Sequence, residues 1–99
     1  MKIAYPFFKD AAISLLNDFD TMDFFKECYY VESIMHKTRY SLNPSITDIV
    51  YGVAEGLQNC ESLITLAFKY RISLAFVWII QDFLLKALEE EKWRKLLAI

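Results

Sequence analysis

Residues 72–99 read ISLAFVWIIQDFLLKALEEEKWRKLLAI, and the first fourteen positions hold Ile72, Leu74, Phe76, Val77, Trp78, Ile79, Ile80, Phe83, Leu84 and Leu85. Such a run reads as a membrane span, as a core helix, or as a surface for another protein. A span needs about 20 mostly apolar residues. Here Arg71 closes one side, and Gln81, Asp82 and Lys86 enter within that length. The segment therefore reads as the helix of a domain without a membrane partner, starting near Ser73 and running to about Leu97.

Placed at about 100° per residue, one sector of this helix holds Phe76, Val77, Ile80, Phe83, Leu84 and Ala87. A second sector, roughly opposite by the same periodicity, holds Leu74, Trp78, Leu85 and Leu96, with Asp82, Lys86 and Glu89 as a polar edge between the two. One apolar stripe suffices to face a bundle core. The second stripe predicts a core helix whose back also adheres to something, with self-association through Leu74, Trp78, Leu85 and Leu96 as one outcome.

The rest of the chain fits the same class. Of its 99 residues, 56% are apolar, against about 45–50% in an average soluble chain, and only two are Gly and two Pro. Turn residues are too few for a meander of short strands, so helices are expected. Near Pro6 a first helix carries Phe8, Ala12, Leu15 and Phe19 as a stripe. In NDFDTMDFF, Asp20 or Thr21 suits the cap of a second helix, with Asp23 in its first turn. That helix, over about 21–38, carries the stripe Phe24, Cys28, Val31 and Met35, with Phe25 and Tyr29 as a shoulder.

In RYSLNPS, Asn43 before Pro44 is pushed out of helical geometry, and Ser45 with Asp48 has capping-box spacing. From there Ile46, Val50, Val53, Leu57, Cys60, Ile64 and Phe68 recur with heptad-like spacing through LQNCES, which predicts one helix over 45–69. Gly52 and Gly56 lie one turn apart, and each costs an exposed helix about 1 kcal/mol relative to Ala. A close neighbouring backbone is the expected reason for both. The chain is thus predicted to be a single all-α domain over 1–99, a small bundle of about four helices. Its two long C-terminal helices are expected to form an antiparallel hairpin.

Chemistry-bearing patterns are sparse. Cys28, Glu32 and His36 recur at i, i+4 and i+8, but three successive turns span about 12 Å, too far for ligands that each sit about 2 Å from one zinc ion. A packed cysteine and a surface histidine are the simpler reading, and no metal or cofactor is expected. His36 is the only histidine. Ser33 lies one turn before it, yet nothing orients the imidazole as a triad requires. Gly52 and Gly56 lack the Lys and Ser or Thr of a phosphate-binding loop, and Asp18, Asp20 and Asp23 read as capping and solvating groups rather than as an acid–base pair. An enzyme is not expected. Glu90 with Arg94 and Glu91 with Lys95 are helix-supporting pairs.

Net charge is −2 and the sequence pI about 5.3. The eleven Lys and Arg form no stripe, so direct nucleic-acid binding is not expected. Cys28 and Cys60 show no secreted-scaffold spacing, and Lys9 and Asp10 interrupt any apolar leader. A cytoplasmic protein with reduced thiols is expected. Residues 10–32 contain six acids and Lys26 alone as a base, a local charge of −5. Such a field steers a basic partner, and Tyr29, Tyr30, Tyr40 and Tyr51 supply rings that suit an interface. The expected function is a non-enzymatic binding protein that neutralises a macromolecular partner by occlusion, in the manner of an immunity protein, antitoxin or phage-encoded inhibitor. Asp20, Asp23, Glu27, Tyr30 and Tyr40 are the expected contacts to a protein partner with a basic surface. A homodimeric structural or regulatory protein is the alternative.

Overall fold

The computed structural model describes residues 7–36 and 45–97. The expected features at Pro6, Tyr40, Asn43 and Pro44 lie outside the described residues, as do the side chains of Ser33, Met35, His36 and Leu96. The described residues form five helices and no strand: α1 Phe8–Leu16, α2 Phe19–His36, α3 Ile46–Gln58, α4 Leu63–Tyr70 and α5 Leu74–Leu97. The all-α class stands, with one helix more than expected.

The extra helix comes from a break at residues 59–62. Cys60 takes a left-handed conformation with φ 63°. Its N–H donates to the Leu57 carbonyl (3.1 Å), and the Glu61 N–H donates to the Gly56 carbonyl (2.8 Å). This is the Schellman pattern that closes a helix C-terminus. Ser62 then opens α4 by accepting the Thr65 N–H at 3.1 Å. The second junction repeats the pattern: Arg71 has φ 55°, its N–H donates to Phe68, and the Ile72 N–H donates to Ala67 at 3.1 Å. Ser73 caps α5 through the Phe76 N–H at 3.1 Å. The single helix expected over 45–69 is therefore two helices. The direction of the chain turns by 115° between α4 and α5, so a short helix set at a corner stands where one long arm of the expected antiparallel hairpin would run.

The core assembles around α1, whose broadest contacts are with α3 and α5. Ala11 and Ala12 are both fully buried, and with no side chain beyond Cβ they let two helices approach. Phe8 and Leu15 complete the stripe. Phe19 does not belong to it, because α1 ends at Leu16 and Phe19 opens α2, 83% exposed. Asp18, not Asp20 or Thr21, caps α2: its carboxylate accepts the Asp20 N–H (3.1 Å), the Thr21 N–H (3.4 Å) and the Thr21 hydroxyl (3.0 Å). Ser45 caps α3 as expected, accepting the Asp48 N–H at 3.2 Å.

Helix α2 buries a face rotated from the expected one. Met22 and Phe25 are buried, with Cys28 and Tyr29 packed behind them, while Phe24 and Val31 face out. Rings join α2 to α5: Phe25 meets Phe83 edge-on at 5.1 Å between centroids, and Tyr29 stacks on Phe76 at 6.1 Å. On α5 the first stripe is the core stripe, with Phe76, Val77, Ile80 and Leu84 buried and Phe83 and Ala87 packed against them. Gly52 and Gly56 are approached by side chains rather than by a backbone. A Cβ at Gly52 would run into the Tyr70 ring and hydroxyl, and one at Gly56 into Leu66 and the Glu61 carboxylate.

Candidate interaction surfaces

Asp20, Asp23, Glu27 and Tyr30 recur at spacings of 3, 4 and 3 and therefore share one side of α2. All four are exposed, and Tyr30 is 68% exposed. The shift of the buried face changes what accompanies them. Phe19, Phe24 and Val31 are also exposed, so large apolar groups stand among the carboxylates. Sequence reasoning placed Phe24 and Val31 in the core because both sides of α2 are apolar, and periodicity alone does not choose between two apolar sides; Phe19 was assigned to the stripe of α1, which ends before it.

Next to this face, an open groove of about 570 Å³ runs between α2 and the first turns of α5. Phe24, Cys28, Val31, Ala75, Phe76 and Ile79 give it an apolar floor and walls, and Glu27, Glu32 and Ser73 supply its polar groups. Glu32 accepts the backbone N–H of Ser73 across the groove. Burial pushes the Cys28 thiol above its ordinary pKa, and the charges of Glu27 and Glu32 add to the rise, so Cys28 is held as the neutral thiol. Cys28 and Cys60 are both free. Among the described residues no three His, Cys, Asp or Glu side chains converge on a point where a metal could sit.

A second apolar surface lies where α4 meets α5. Ile64 and Phe68 were expected in a heptad core, but the break before Ser62 turns them outward, and Phe68 is 81% exposed. Ser62, an N-cap residue type directly ahead of the apolar run Leu63–Ile64, is the local signal for that break. Ile64 and Phe68, with Ala67, Arg71, Ile72, Ser73 and Leu74, line an open cleft of about 450 Å³. Leu74 and Trp78 of the second stripe stand beside it, Trp78 being 61% exposed, while Leu85 packs against the chain's own core. The expected stripe is thus divided: its first half is free surface and Leu85 is not. A third hollow, lined by Ser14, Asn17, Asp18, Phe19, Asp20, Ala87 and Glu90 among others, lies at the α1–α2 junction, where the Asp18 carboxylate is already engaged in capping.

No single helix among the described residues is long and apolar enough to cross a membrane, although α4 with the bent-off Leu74–Glu90 segment meets the length and hydropathy of a span when the two are counted together. Compared with protein-family models, with curated proteins and with solved structures, the chain matches none of them, so its functional reading rests on these surfaces.

Proposed function

We propose that the protein is a non-enzymatic binding protein that occludes a basic surface of a macromolecular partner through the outer face of α2. The observation that carries this reading is the mixing of charge and apolar area: Asp20, Asp23 and Glu27 stand on the same exposed helix as Phe19, Phe24, Tyr30 and Val31. Carboxylates steer a basic partner into place, and desolvated aromatic anchors hold it. A helix face that served only solubility would have no need of four exposed large hydrophobic groups among its acids. Neutralisation by coverage, as an inhibitor, immunity protein or antitoxin achieves it, needs no reacting group.

The test is kinetic. A partner isolated on the native protein is presented to the native chain and to the Asp20→Lys, Asp23→Lys, Glu27→Lys triple variant, and association rates are followed at low and high salt. The expected result is an on-rate lower by about ten- to a hundredfold at low salt, with the difference shrinking as salt rises. An unchanged on-rate removes the α2 face from the interface.

Homodimerisation through Leu74, Trp78, Leu85 and Leu96 is the second reading, favoured by the exposure of Leu74 and Trp78. The packing of Leu85 against the core narrows it. Light scattering on size-exclusion peaks over a range of concentrations decides whether a dimer exists.

A further inference from the structure

We propose that the corner between α4 and α5 docks the protein onto an anionic lipid surface, with Phe68 and Trp78 entering the interface and Arg71 contacting lipid phosphate. Ile64, Phe68, Leu74 and Trp78 are all exposed and come from adjoining turns of two helices. Large apolar groups concentrated in this way mark an interaction site rather than scattered surface residues. Trp and Phe are the side chains that interfacial binding uses, with Lys or Arg beside them for anionic headgroups.

Charge decides between a lipid surface and a second copy of the chain. Arg71 lines the cleft, Lys69 is exposed two residues earlier, and no carboxylate lines the cleft at all. An isologous dimer presents the same patch from both sides. Pairing this patch with itself would bring two copies of Arg71 and Lys69 together, while the acid one turn beyond Trp78 on α5, Asp82, is already paired with Lys86 at 3.1 Å, and burying an uncompensated charge is strongly unfavourable. A layer of lipid phosphates supplies the missing anions while leaving the guanidinium hydrated.

The corner lies on the membrane and does not cross it. Phe76, Val77, Ile80 and Leu84, which give the Leu74–Glu90 segment its hydropathy, are buried in the core, and only the outward residues remain for lipid. The acidic face of α2 is on a different helix, and on α5 the residues that meet α2, Phe76 and Phe83, are well over 90° from Leu74 at about 100° per residue. Contact at the corner therefore leaves Asp20, Asp23 and Glu27 on another side of the molecule from the anionic layer, and the one α2 carboxylate that reaches the corner, Glu32, is engaged by the Ser73 N–H.

The test is sedimentation of the full chain with extruded phosphatidylcholine vesicles, with and without phosphatidylserine, at low and high salt. Phe68→Ser, Trp78→Ser and Arg71→Asn are compared with the native chain; Asn tolerates the left-handed backbone at 71, and circular dichroism checks that each variant is folded. The expected result is binding to phosphatidylserine vesicles that salt weakens. Phe68→Ser should lower the partition coefficient by about tenfold or more, and Arg71→Asn by about fivefold. With Trp93 replaced by Phe, the remaining emission of Trp78 should shift to the blue on binding. Absence of binding to either vesicle overturns the proposal, as does equal binding with and without phosphatidylserine. Binding that survives both Phe68→Ser and Trp78→Ser also overturns it, and a stable dimer that Phe68→Ser dissolves assigns the corner to a second copy instead.

Discussion

Glu32 of α2 accepts the backbone N–H of Ser73, the residue that caps α5, across 41 positions of sequence. In a capping box the residue that satisfies the cap's own N–H comes from the first turn of the same helix; here another helix supplies it. The contact fixes the start of α5 against α2, and it places a carboxylate at the positive end of the α5 dipole. Replacing Glu32 with Gln keeps an acceptor and loses the charge, which should cost about 0.5–1 kcal/mol. Replacing it with Ala strands the N–H and should cost about 1–3 kcal/mol. Urea denaturation of the two variants separates the charge from the hydrogen bond.

Phe25 and Phe19 lie on the same helix and differ almost completely in exposure. Phe25 is fully buried and meets the rings of Phe76 and Phe83, whereas Phe19 is open to solvent. Phe25→Ala should destabilise by about 3–5 kcal/mol, and Phe19→Ala by no more than about 0.5 kcal/mol. Thermal unfolding of both checks which side of α2 is the core side.

Gly56 permits the packing of α3 on Leu66. An added Cβ would meet Leu66, which is fully buried and has no room to move, and the Glu61 carboxylate. Overpacking of this kind costs about 1–3 kcal/mol, against a gain of about 1 kcal/mol in helix propensity. Gly56→Ala should therefore lower stability. Gly52→Ala should lower it less, because the Tyr70 ring that it meets is only half-buried and swings outward more easily. The two denaturation midpoints, read side by side, test the ordering.

The raised pKa of the Cys28 thiol has a defined sign in its effect on stability. The folded chain holds Cys28 neutral through burial and the nearby Glu27 and Glu32, while the unfolded chain ionises it at the ordinary value. The contribution is complete below that ordinary value and is lost as pH rises through it toward the folded value. In a Cys60→Ser background, the alkylation rate of Cys28 should reach its midpoint above that of a free thiol. Glu27→Gln should bring the midpoint down, and iodoacetamide kinetics across alkaline pH measure both.

An element was legible in the sequence to the extent that its causes are local. The all-α class came from composition, the cap at Ser45 from local spacing, and the start of α5 near Ser73 from the turn before it, because a capping hydroxyl needs only the N–H groups three residues on. The core stripe of α5 was legible too, since Phe76, Val77, Ile80 and Leu84 lie opposite a side that carries Asp82 and Lys86. The acidic side of α2 was found for the same reason: charges mark the outside unambiguously.

Tertiary structure decided the rest. No glycine announces the helix ends at Cys60 and Arg71, and a left-handed non-glycine residue costs about 1–2 kcal/mol. That conformation persists because the turns it allows bury Leu66 and Ile72. Such burial is a contact across the fold, which heptad spacing along one helix does not encode. The choice of Phe25 over Phe24 as the core ring of α2 is of the same kind: both residues are equally apolar and both rings reach Phe83, and the difference is that Phe25 also meets Phe76 on α5. From these two decisions came the exposed Phe24 and Val31 on one side and Ile64 and Phe68 on the other. Local sequence determined which segments are helices and how several of them begin, while packing between distant segments determined where helices end and which apolar side remains for a partner.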